Sequence, residues 1–435
     1  MVHFNSMLLF FMLLYVGQTA FRTWVDAINL RHSIGISGMV PRGFEGFVDK
    51  DRLERMNAYT VERGRIGIFE EILSDSVLLV ILLSGLLPLL ANWFSRVGIT
   101  EIPAALLFFF IIGAIQFFIE LPFGYHQTFV IEEKFGFNRS TLKLWALDLV
   151  KSGLISMALF AALLTILLLL IRDFPQHWWF WGFLTVAAVQ VLLAILFPVV
   201  IAPLFNKFEP VRDEDLASKI MRLMSENGIR VRKILQMDAG LRSRHTNAYF
   251  TGIGKTKQIV LYDTLLESHT HDEILSVLAH EAGHFRKKHV PKQLLLFGAF
   301  TLGAFYVTYL FINWPLLYST FGFSPSLPYA GLFLAGIILQ KAGFFLQPLY
   351  MWLSRRFEVE ADSFAVNMLG TAEPLLTALK RLSADNLSNL NPHPLYVRFH
   401  YSHPPIILRA ARLEEVERNM PARRSPSPER LGSDI

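Results

Sequence analysis

Seven stretches of the chain are apolar with little interruption, most of them over the roughly 20 residues a helix needs to cross a bilayer. They run over about 7–21, 68–94, 102–121, 144–171, 178–205, 294–313 and 327–353. The first is short. It reads as an uncleaved span, because residues 1–6 carry no Lys or Arg and no A-x-A pattern follows, whereas a secretory leader shows both features. Between the fifth and sixth stretches the pattern changes to that of a small α/β unit. Residues 213–227 have helical periodicity, 231–237 form a short strand, and 247–251 (NAYFT) alternate as a strand does. Turn residues at 252–255 (GIGK) lead to a returning strand at 258–262. A helix starts near His271, because Thr270 and Glu273 have capping-box spacing, and Ile274, Leu275, Val277 and Leu278 supply its apolar face. Residues 358–368 read as another helix, and the segment from 423 (RRSPSPERLGSDI) as a disordered tail. The expected division is therefore 1–205 with spans one to five, 206–293 as a polar α/β unit, 294–353 with spans six and seven, 354–420 as the rest of that unit, and 421–435 as tail.

Composition agrees with a polytopic membrane protein. Hydrophobic residues make up 53% and charged residues 18%, against about one quarter charged in a soluble domain. Disorder, collagen and a disulfide scaffold are excluded. The absence of cysteine removes disulfides, thiol nucleophiles, iron–sulfur clusters and thiolate zinc sites, so any metal must be held by His, Asp or Glu. The net charge of +5 does not by itself point to nucleic acid, and none is expected as a partner. Placement says more: 37 of the 41 Lys and Arg fall in 22–67, 122–143, 206–293 and the region after 353, which are alternate connections. The positive-inside rule then puts the N-terminus outside and the C-terminus in the cytoplasm, with an odd number of spans. Glu70, Glu71, Asp75, Glu120, Asp148, Lys151 and Lys341 fall inside or at the ends of spans, either as paired glue or lining a polar interior. The spacing of Asp148 and Lys151 suits a pair.

The helix beginning near His271 carries His280-Glu281-Ala282-Gly283-His284. Histidines four apart share a helix face and reach one metal ion, and the glutamate between them stands beside a metal-bound water whose proton a carboxylate can take. Two surface histidines with an incidental Glu are the bland alternative. A catalytic zinc needs a third protein ligand and one open position. Glu358 and Asp362, four apart just past the seventh span, offer a ligand and a carboxylate to orient a ligand imidazole. An ordinary acidic helix N-terminus explains them equally well. Glu360 is expected to point elsewhere on that helix, and His245, His271, His289 and His393 to be surface residues.

HEAGH at 280–284 with FEVEAD at 357–362 resembles the type I CAAX prenyl protease family, integral membrane zinc proteases of the gluzincin type. FVIEEKFGFN at 129–138, NAYF at 247–250, and YSHPP at 401–405 with Arg409 resemble further motifs of that family, so the likeness covers nearly the whole chain, to about residue 415. It implies seven transmembrane helices around a large polar chamber, an α/β zinc domain closing the cytoplasmic side, and one Zn2+ per chain. By the same resemblance His280, His284 and Glu358 are metal ligands, Glu281 is the general base, and Asp362 is supporting or proton-donating. Asn247, Ala248, Tyr249 and Phe250 would pair with the substrate backbone as an added strand, and His403 and Arg409 would meet the substrate or its oxyanion. The expected activity is hydrolysis of peptide bonds in a peptide or protein substrate, a prenylated CAAX C-terminus being what the resemblance implies. The expected location is the endoplasmic reticulum membrane or a bacterial inner membrane. A broad membrane-protein quality-control protease is the runner-up, and a seven-span transporter or receptor with a structural zinc is the reading from another class.

Overall fold

The computed structural model describes residues 2–35, 39–251, 256–324 and 326–420. The segments 252–255 and 421–435, read above as a turn and a tail, lie outside the described residues. Five long membrane segments come first: α1 (Ser6–Gly35), the broken pair α2 (Lys50–Leu83) and α3 (Leu86–Arg96), α4 (Glu101–His126), α5 (Leu142–Asp173) and α6 (Trp178–Leu196). Among the described residues six helical segments are long and apolar enough to cross a membrane, and α2–α3, bent by 56°, makes a seventh when the pair is counted as one span. The bend falls at Ser84–Gly85, where Gly85 adopts φ 79°, a left-handed conformation open to glycine.

The helices are longer than the apolar stretches, most of all on the cytoplasmic side expected from the charges. Residues 22–35 continue α1, and 50–67 belong to α2, whose start is capped by Asp49 accepting from the Arg52 amide at 2.7 Å. Leu53, Met56 and Tyr59 line one face of that polar extension and are buried in a cluster with Phe135, Phe137 and the catalytic unit. A helix that leaves the bilayer keeps its hydrogen bonds but loses its apolar run, so hydropathy stops marking it. A π-helical turn, Gln127–Glu132, extends α4, and another, Phe197–Ile201, extends α6.

The chain then builds its α/β unit. β1 (Phe208–Pro210), α7 (Glu214–Glu226), β2 (Arg230–Met237), β3 (Ala248–Thr251) and β4 (Thr256–Tyr262) give a four-stranded sheet in the order β1-β2-β4-β3. β2 and β4 are parallel, and β3 returns antiparallel to β4 and has no strand on its other side among the described residues. A short α8 (Asp263–Ser268) precedes α9 (His271–Arg286), which begins with the expected capping box of Thr270 and Glu273. Membrane helices α10 (His289–Ile312) and α12 (Pro328–Gly343) follow, joined through α11 (Pro315–Thr320). The helix expected at 358–368 is the end of a longer one, α13 (Gln347–Leu369), which carries the last span directly into the site. It stops at Gly370, φ 69°. α14 (Glu373–Asp385), α15 (Pro394–His400) and α16 (Ile406–Asn419) complete the unit.

Of the charged residues expected inside the spans, Asp75, Lys341, Glu71 and Asp148 are held in ion pairs. Lys341 Nζ lies 2.5 Å from Asp75 Oδ2 and 3.1 Å from Thr19 Oγ1, and Arg22 lies 2.9 Å from Glu71. Asp148 does not pair with Lys151. Arg242, brought in from the α/β unit, donates to both Asp148 oxygens at 2.8 and 3.2 Å, and Lys151 donates to the Leu204 carbonyl. Helix spacing alone could not anticipate a partner 94 residues away. In their most apolar windows α5 buries 11% of its residues against protein, and α6 and α10 bury none.

Candidate active site

Two packed helices make the site. α9 presents His280, Glu281 and His284, and α13 presents Glu358 and Asp362. Their approach is close because Gly283 faces Ala361: a Cβ on Gly283 would stand 2.9 Å from the Ala361 Cα. His280 Nε2 and His284 Nε2 are 3.1 Å apart, and they lie 3.3 and 3.2 Å from the two oxygens of Glu358. Ligands about 2.0–2.2 Å from one tetrahedral ion stand roughly 3.3–3.5 Å from each other, so the trio has the dimensions of a divalent metal site. A second observation agrees: Glu358 Oε2 is buried and accepts no hydrogen bond among the described residues. Three donors with one position left open is the catalytic pattern.

Asp362 lies behind this trio. Its Oδ1 is 2.8 Å from His280 Nδ1, which leaves Nε2 for the metal side. Buried Arg409 from α16 donates to both Asp362 oxygens, at 3.0 and 2.5 Å, and its Nη1 stands 3.7 Å from Glu358. Glu281 is within electrostatic reach of His280, His284, Glu358 and Arg409, and burial raises its carboxyl pKa above the ordinary value, against the pull of the two histidines. His403 is exposed, with Nε2 3.3 Å from Glu358 Oε1 and Nδ1 held by Ser402. His403 and Arg409 therefore both reach the site, but differently: His403 on the open side, Arg409 as a clamp on carboxylates. The strand containing Ala248, Tyr249 and Phe250, entered through Asn247, packs against α9 with its free edge available. Asn247 is exposed, its Oδ1 accepting from the Ala248 amide at 2.8 Å.

Two residues that sequence reasoning passed over belong here. His289 is 1% exposed and is no surface residue. Its Nδ1 is 3.0 Å from His284 Nδ1, its ring stacks on Phe357, and its Nε2 is 3.2 Å from Glu360. Glu360 thus points at the second histidine's support. If Nε2 of His284 faces a metal, its Nδ1–H donates to His289, and His289 Nε2–H donates to Glu360, so one tautomer is set along the row. His289→Phe keeps the stacking and removes the acceptor. It is expected to speed metal loss to a chelator roughly 10- to 100-fold; a rate equal to wild type would exclude the support. His245 is also half-buried, stacked on Phe137, with Nδ1 2.9 Å from Asn386 Oδ1. His393 caps α15 and His271 sits 2.8 Å from Asp213, so neither is a ligand of this site.

A membrane metallopeptidase is what seven spans and such a site together define, and comparison with known proteins makes the class specific. Residues 30–207 match the CAAX prenyl protease N-terminal family of five membrane helices, and residues 210–417 match peptidase family M48. The chain is 32% identical to a CAAX prenyl protease 1 homolog of Oryza sativa over 95% of its own length and 98% of that protein. It is 32% identical to CAAX prenyl protease 1 of Saccharomyces cerevisiae over 87% of its length and 89% of that protein. The crystal structure of S. mikatae Ste24p superposes with a TM-score of 0.87 at 30% identity, covering 92% of this chain and 97% of that one. The chain belongs to the type I CAAX prenyl protease family, within peptidase family M48, and is an integral membrane metalloendopeptidase.

Proposed function

We propose that this chain is a zinc endopeptidase that releases the C-terminal tripeptide of prenylated CAAX proteins, with its α/β unit and C-terminus on the cytoplasmic side of an endoplasmic reticulum or bacterial inner membrane. The observation carrying the reading is the convergence of His280, His284 and Glu358 beside Glu281, next to an unpaired strand edge. Nitrogen and carboxylate donors without thiolates suit zinc with one open position. Such an ion, when bound, supplies a Lewis acid for the scissile carbonyl and acidifies a water.

The chain's own residues do the rest. The free edge of β3 takes the substrate backbone as an extra strand, which sets the scissile bond in register without reading side chains. Glu281 takes the water proton and returns it to the leaving amine. His403, on the open side, donates toward the oxygen that becomes negative as the peptide carbon turns tetrahedral. Arg409 and Asp362 hold His280 and Glu358 in place and keep the buried carboxylates compensated. The lone-standing edge also suits the broader quality-control reading, because main-chain pairing accepts many sequences.

The test is one CAAX peptide offered with and without its prenyl group to purified protein, with and without chelator. Cleavage directly after the prenylated cysteine (at the cysteine–aliphatic bond), lost with chelator and at least tenfold slower without the lipid, is expected. Equal cleavage of both forms would favour broad quality control.

A further inference from the structure

A polar cavity of about 500 Å3 lies between α1, α2, the 386–389 loop and α15. Two features join it to the site. Tyr401 lines it and is two residues from His403, so their Cα atoms are at most about 7 Å apart. Asn386 lines it too and receives the His245 ring at 2.9 Å, three residues before β3 begins. The cavity thus opens at the N-terminal end of the edge strand and beside the residue facing Glu358.

Its charges are unequal in their commitments. Arg22 stands 2.9 Å from Glu71, and His400 is 3.3 Å from Asp26. Arg63 differs. It is exposed in the cavity, donates through Nη1 to the Tyr59 hydroxyl at 3.1 Å, and has no carboxylate within ion-pairing distance among the described residues. Glu132, which shares the Tyr59 hydroxyl with Arg63, is occupied by that hydroxyl at 2.6 Å, by Gln127 at 3.0 Å and by His245 at 3.4 Å. Most of the five donors of that guanidinium are uncommitted, and a planar guanidinium matches a carboxylate with two parallel hydrogen bonds.

We propose that this cavity receives the leaving tripeptide and that Arg63 binds its terminal carboxylate. The inference rests on the CAAX reading above. A peptide lying antiparallel to β3 points its C-terminus toward the N-terminal end of that strand, which is where the cavity opens. Three extended residues beyond the scissile bond reach about 10 Å, and 500 Å3 is within the range of pockets that enclose ligands of this size. Arg63 acts as a specificity residue for substrates that end three residues past the cut.

The experiment compares two prenylated CAAX peptides, identical except that one ends in a carboxylate and the other in a carboxamide, on the metal-loaded full-length protein. Wild type should prefer the acid by roughly 10- to 100-fold in kcat/KM, the scale of a charged hydrogen-bonded contact. Arg63→Gln should bring the acid-to-amide ratio near one, and Arg63→Lys should keep part of the preference. Equal cleavage of the two peptides by wild type overturns the inference and leaves the CAAX reading standing. A ratio unchanged in Arg63→Gln, with both rates lowered together, overturns it as well by making Arg63 structural. Cleavage of neither peptide overturns the CAAX reading and this inference with it. The wild-type comparison needs no variant to fold.

Discussion

Glu281→Gln should yield a folded protein that retains its metal and loses peptide cleavage by about three orders of magnitude or more, the upper part of what general acid–base catalysis contributes. The amide is nearly the size of the carboxylate and leaves His280, His284 and Glu358 untouched. It cannot take a proton from water, nor return one to the leaving amine. The two readouts separate chemistry from assembly: metal content by elemental analysis should equal wild type, and turnover of a CAAX peptide should fall. Turnover within a few-fold of wild type would remove Glu281 from the reaction. Loss of the metal together with activity would make it a structural residue instead. Burial raises the Glu281 carboxyl pKa above the ordinary value.

Gly283→Ala is expected to weaken metal binding on the order of 10- to 100-fold while leaving every donor side chain in the sequence. The added Cβ would sit 2.9 Å from the Ala361 Cα, 3.1 Å from its carbonyl oxygen and 3.1 Å from the Phe364 Cβ. Two of these atoms are backbone of α13 and cannot swing away, so the helices must separate or slide. Overpacking of this kind costs about 1–3 kcal/mol. The site is less tolerant, because metal–ligand distances hold to within about 0.2 Å and the third donor comes from the displaced helix. Ala361→Gly should not rescue it, because the contact is with the Cα and the carbonyl rather than with the Ala361 methyl. Chelator competition measures the effect; wild-type retention of metal in Gly283→Ala would show that the helices adjust without disturbing Glu358.

Legibility in the sequence followed the physics of each signal. The apolar stretches marked the membrane segments because burying them in lipid demands that composition. The capping box and the i, i+4 histidines were visible because both are local in one helix. The polar extensions of α1 and α2 were not, since a helix outside the bilayer has no composition of its own to declare it. The Asp148–Lys151 pairing failed for a related reason: spacing along one helix says what can meet, and a distant Arg242 with two donors wins by geometry. His289 was read as exposed because a lone histidine usually is. Its burial depends on α13 laying Phe357 over the ring and Glu360 against Nε2.

By itself the amino-acid order determined a thiol-free, multi-span membrane chain with two histidines four apart and a glutamate between them on one capped helix, because those properties depend on composition and on contacts within a few residues. Only the tertiary structure decided that Glu358 completes the trio 74 residues beyond His284, that Arg409 clamps Asp362, and that Arg63 stands open in a cavity at the end of the edge strand. Those depend on how closely two helices pack across an inserted membrane hairpin, which Gly283 permits and no local pattern encodes.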